Sequence, residues 1–213
     1  MKEFSRFRNS MTVITIISIG WLLGGCVEGA KPPETILDSP EHHVFNGYKL
    51  IEKGMINDAE REFQLALHHD PNLSSALRGM GFVYGIKKSF DPAFKSMERA
   101  ATQAKEKRDK ALAYVGAIRL HTMQRGEGWL KQSEKYFSLA LAEVKEFPEA
   151  YYYMGVAYTV GHRFVQAENS FRKVLEINET FVMEAQEQLK KVQNNLRRVP
   201  ELEHEKRLAL HLR

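Results

Sequence analysis

Few residues in this chain are of types that do chemistry. Cys26 is the single cysteine among 213 residues, so the chain can close no internal disulfide and build no cysteine-based metal cluster. His42-His43 and His68-His69 are its only histidine pairs, with Glu41 and Asp70 beside them. Imidazole and carboxylate are donors that a divalent metal takes. Neighbouring histidines on a helix point about 100° apart, however, so neither pair is preset to chelate one ion. They read as polar groups at the edges of helices. Serines and aspartates are scattered without a nucleophile, base and orienting group in order. No glycine-rich phosphate loop follows a strand, and no strand pattern is evident. The expectation is a non-enzymatic protein with no catalytic residue, no metal site and no cofactor.

The elements around these residues belong to an ordinary globular chain. At 43% hydrophobic and 27% charged, the composition excludes both a disordered and a multi-span membrane protein. The net charge is +4, and Lys2, Arg6 and Arg8 against Glu3 account for +2 of it within residues 1–25. The remainder is close to balance, which gives no reason to expect a nucleic-acid partner.

The first 39 residues read as an address and a tether. The basic residues precede an uncharged run from Met11 to Gly25. A basic start followed by about 7–15 apolar residues is the secretory signal pattern, and the run is short against the roughly 20 residues of a membrane span. It ends Leu23-Gly24-Gly25-Cys26, which resembles the bacterial lipobox. That resemblance implies a signal peptide over 1–25, cleavage before Cys26, and acylation of the Cys26 thiol and its new amino group. Several acyl chains, at about 0.8 kcal/mol per buried methylene, anchor firmly. Val27, where an aspartate would favour the inner membrane, points to an outer-membrane address facing the periplasm. Residues 26–39 carry Pro32-Pro33 and no helical stripe, as a semi-extended tether would, reaching up to roughly 40 Å.

Residues 40–199 carry a repeat. Tyr151, Met154, Gly155 and Tyr158 share one helical face, and so do Ala167, Phe171, Val174 and Leu175, which predicts two amphipathic helices joined at Gly161 in a left-handed turn. This hairpin recurs. Gly47 and Gly81 are 34 residues apart, as are Ala59 and Ala93, Phe63 and Met97, and Ala66 and Ala100; Gly81 and Gly155 are 74 apart, as are Ala93 and Ala167. One further repeat with six extra residues lies between them, containing Leu112, Gly116, Phe137 and Ala140, with the extra residues placed mostly at Gln124–Gly128. The repeats run 40–73, 74–107, 108–147 and 148–181.

This 34-residue helix–turn–helix pattern resembles the tetratricopeptide repeat family. The match rests on Gly47, Leu50, Gly54, Ala59, Phe63, Ala66 and Pro71 in the first repeat. Leu77, Met80, Gly81, Tyr84, Ala93 and Ala100 carry it in the second, and Tyr151, Met154, Gly155, Tyr158, Ala167 and Phe171 in the fourth. The chain departs from the family pattern at His43, Asn46, Val174 and Glu179. The resemblance implies an all-α, right-handed α–α superhelix of four repeats, with Val182, Ala185, Leu189 and Val192 forming the apolar side of a capping helix over 182–199. Pro200 is expected to end that helix, leaving 200–213 as a short docking helix or a frayed tail.

In such arrays the first helices line a concave face. A second stripe on those helices nominates Phe45, Tyr48, Arg78, Phe82, Tyr114, Tyr152, Tyr153 and Val156 as a groove for a protein or peptide. The expectation is a lipid-anchored envelope adaptor that assists assembly of pilus secretin, outer-membrane or peptidoglycan machinery. The rivals are a self-associating structural protein and an inner-membrane protein held by an uncleaved signal anchor.

Overall fold

The computed structural model describes residues 39–211, and side chains as far as Arg197. The expected signal peptide, Cys26 and the expected tether as far as residue 38 lie outside the described residues. The described ones are helical: α1 (Pro40–Glu52), α2 (Ile56–His69), α3 (Ser74–Ile86), α4 (Phe90–Gln103), α5 (Lys107–Gln124), α6 (Trp129–Glu143), α7 (Pro148–Val160), α8 (Phe164–Ile177) and α9 (Val182–His211).

Local signals set several boundaries. Ser39 caps α1, its hydroxyl accepting the His42 N–H at 3.2 Å, and Pro40 occupies the first turn where its missing N–H costs nothing. Pro148 does the same for α7. The turns inside the first, second and fourth hairpins each place one residue at positive φ: Gly54 at 74°, Lys88 at 61° and His162 at 57°. The turn expected at Gly161 is therefore built one residue later, Gly161 itself having φ −81°. A glycine is suited to this conformation and lysine and histidine are not, so two of these turns are held by the helices they join.

Successive helices pack as antiparallel hairpins, α1 with α2, α3 with α4, α5 with α6, and α7 with α8. The first helices also pack on one another, α1 on α3, α3 on α5 and α5 on α7, whereas among the described residues the second helices make no such approach. Closer spacing on one side than the other curves the array, with the first helices on the inside. Helix α9 lies on α8 with Ala185 and Val192 fully buried. It runs through Pro200 to His211, where a break is expected. Proline removes one backbone donor, but the flanking Glu, Leu, Lys, Arg and Ala residues are strong helix formers.

The core repeats a single device, a large side chain of a second helix held between two small residues. Phe63 lies against Gly47 and Gly79; a Cβ on either glycine would fall 2.6 or 2.2 Å from its ring. Met97 lies between Gly81 and Gly116, and Phe171 against Gly155. Gly116 meets the preceding repeat's residue as Gly79 does, so these two are the equivalent pair, 37 residues apart. The third-repeat counterpart of Gly81 and Gly155 is then Ile118, 37 residues from each. The six extra residues are thus shared between the two sides of Ile118, and α5 begins about a turn early to absorb its share.

Candidate binding groove

Helices α1, α3, α5 and α7 line two contiguous cavities on the inner face, of 310 and 170 Å³. Tyr48, Phe82, Arg119 and Tyr153 border both. Arg119 joins three repeats: its guanidinium lies 4.1 Å from the centre of the Phe82 ring and 4.6 Å from that of Tyr153. Such a cation between two aromatic faces is attracted by both. The larger cavity continues past Ile51, Glu52, Ile86 and Met123, with Ile86 and Met123 exposed. The smaller one continues past Arg78, Leu112, Val115, Glu149 and Phe181.

Hydrogen bonds hold the polar end. The Tyr48 hydroxyl donates to the Ser75 carbonyl at 3.2 Å and accepts from Arg78 Nε at 3.3 Å. Arg108 Nη2 donates to Glu149 Oε1 at 2.6 Å, linking α5 to the first turn of α7. The cavity therefore combines aromatic walls, an apolar end, and an end with fixed opposite charges.

Tyr48, Arg78, Phe82 and Tyr153, nominated from the sequence, come together here. The other four nominated residues are placed elsewhere. Phe45 is 55% exposed on α1 with Lys49 Nζ 4.3 Å from its ring, and borders neither cavity. Tyr152 stacks on Phe181 at 4.7 Å and meets Phe171 edge-on, and Val156 packs into the same cluster. Burial raises the Tyr152 phenol above its ordinary pKa, with Tyr153 adding to the shift. Tyr114 faces a different cavity of 570 Å³ between the second helices α4 and α6, over α5. Numbering the third repeat from Gly116 puts Tyr114 and Ala117 in the groove; numbering it from Ile118 puts Arg119 there.

That outer cavity is floored by Ala113 and Ala117 where the second helices diverge. Beside it, His121 lies 4.4 Å from Phe94 and 5.6 Å from Tyr136, centre to centre. Burial lowers its pKa below the ordinary value of about 6.5. The unfolded chain then takes up this proton first as pH falls. Stability contributed by neutral His121 is full above about pH 6.5 and is lost as pH falls through the lower folded value. His121→Phe keeps a ring without the titration. Urea midpoints measured between pH 7.5 and 4.5 should therefore fall more for the wild type than for this variant.

The two histidine pairs also approach each other. His43 Nδ1 is 2.8 Å from Glu62 Oε2, and its ring stacks on His69 at 5.8 Å. Among the described residues, no three histidine, cysteine, aspartate or glutamate side chains are grouped to hold a metal.

No known family profile matches the chain, and no curated protein matches it in sequence. Solved structures do. A thermophilic tetratricopeptide-repeat protein of Thermus thermophilus superposes at a TM-score of 0.59 with 20% identity, covering 76% of this chain and 86% of that one. The APC/C hetero-tetramer Cut9–Hcn1 superposes at 0.60 with 19% identity over 88% of this chain. This chain spans 34% of that one's length. The fold is a tetratricopeptide-repeat superhelical solenoid.

Proposed function

We propose that this protein is a non-enzymatic adaptor of the cell envelope, anchored through lipid on Cys26, that holds a protein or peptide in its concave groove. The observation that carries the reading is the groove itself: four repeats contribute one continuous surface with aromatic, apolar and charged parts in fixed positions. The Leu23–Cys26 pattern supports the anchor, and Val27 supports an outer-membrane address facing the periplasm. An adaptor held at a membrane raises the local concentration of whatever it binds, which suits assistance to assembly of a pilus secretin, outer-membrane or peptidoglycan complex.

Capture from detergent-solubilised membranes tests the adaptor. Ile86→Glu, in the groove, should lose the captured partner, while Val165→Glu, on α8 and also exposed, should keep it; equal retention by both would rule out the groove as the binding surface. Cys26→Ser should abolish lipid labelling and leave an uncleaved precursor, and continued labelling would refute the anchor. A second reading, self-association, draws on α9, whose helix continues to His211. Deleting residues 200–213 and measuring mass in solution separates the two, since loss of a dimer would favour self-association.

A further inference from the structure

The polar end of the groove is incomplete in a way that specifies a ligand. Glu149 is 8% exposed. Its Oε1 is occupied by Arg108, but its Oε2 is buried with no hydrogen-bond partner among the described residues. The Arg78 side chain is 12% exposed. Its Nε is used by Tyr48, but Nη1 is buried without a hydrogen-bond acceptor, the Asp109 carboxylate standing off at 3.7 Å. Both residues border the same 170 Å³ cavity. A buried acceptor lacking a donor and a buried donor lacking an acceptor each cost free energy until a partner arrives.

The missing partner must accept from Arg78 and donate to Glu149. A carboxylate would satisfy the arginine and be repelled by Glu149; an ammonium group would do the reverse. The groove as a whole is balanced, Arg78 and Arg119 against Glu52 and Glu149, so it selects against either net charge. A backbone amide points its C=O and N–H in opposite directions, whereas a side-chain carboxamide offers both from one small planar group. The adjoining cavity, with Ile51, Ile86 and Met123, calls for an apolar neighbour.

We propose that the groove recognises an uncharged polypeptide segment in which an Asn or Gln carboxamide bridges Arg78 and Glu149 and a nearby apolar side chain fills the Ile51, Ile86 and Met123 end. The inference rests on the adaptor reading. A phage library of random decapeptides, selected on the detergent-solubilised full chain, tests it. The wild type should enrich uncharged sequences with Asn or Gln close to an apolar residue. Glu149→Gln keeps an oxygen for Arg108 but places a donor where the free carboxylate oxygen stood. It should shift selection toward Asp and Glu, lowering the carboxamide-to-carboxylate ratio about tenfold or more, the factor for a hydrogen bond to a charged group. Matching circular dichroism and melting temperature would establish that the variant is folded. Charged sequences selected by the wild type, or an unaltered selection by Glu149→Gln, overturn this inference and leave the adaptor standing. No enrichment over detergent-only controls overturns the adaptor and the inference together.

Discussion

Phe63→Ala is expected to destabilise the array by about 3–5 kcal/mol, the range for removing a fully buried phenylalanine. Phe63 is fully buried, and its ring is gripped by Gly47 on α1 and Gly79 on α3. Two glycines offer no side chain that could swing into the vacated space, so the cavity persists. Repeat arrays lose stability locally, because each repeat contacts only its neighbours. Hydrogen exchange should therefore quicken on the order of a hundredfold or more in α1 and α2, while α7 and α8 keep their protection. Uniform loss along the chain would contradict the repeat architecture. Gly79→Ala probes the same contact from the other side. Its Cβ would lie 2.2 Å from the Phe63 ring, and overpacking of about 1–3 kcal/mol opposes a helix-propensity gain of about 1 kcal/mol. Combining Gly79→Ala with Phe63→Leu should recover part of the loss, since the smaller side chain makes room for the methyl group.

The second large effect is on binding. Arg119→Ala should weaken the captured partner at least about tenfold, because it removes the cation between Phe82 and Tyr153 and frees both rings. Its effect on the melting temperature should be small, since Arg119 lies in the groove wall and its loss opens no core cavity. Arg119→Lys keeps the charge but not the planar stack. An intermediate affinity for this variant assigns the role to geometry as well as charge. Affinity equal to the wild type would assign it to charge alone.

The periodic part of this architecture was legible in spacing. Offsets of 34 and 74 residues between small and aromatic positions place the hairpins because each second-helix side chain needs a small residue opposite it. The third repeat misleads for the same physical reason. Gly116 is small because it faces Met97 of the preceding repeat, not a residue of its own. Taking it as the counterpart of Gly81 moved the groove onto Tyr114 and hid Arg119. The even spacing of Gly81, Ile118 and Gly155 carried the correct frame, but isoleucine does not look like a small-residue landmark.

The fourth repeat departs for another reason. Tyr152 stands at a groove-facing helical position, yet Phe181, held at φ 61° beyond α8, stacks on it and draws it into the cluster under the cap. No spacing rule foresees a long-range aromatic contact made by a connecting residue. Glu149 was missed because a glutamate in a first helical turn reads as an ordinary complement to the helix dipole. Only the folded chain shows one of its oxygens shut away from water beside Arg78.

The most direct test of a partner in the concave groove is site-specific photo-crosslinking in intact cells. A photoreactive side chain placed at Met123, on the groove, is compared with one at Leu65, on the second helix α2; both positions are 43% exposed. A partner seated in the groove predicts a discrete adduct from position 123 and none from position 65. Adducts from position 65 alone, or the same adduct from both, would contradict it.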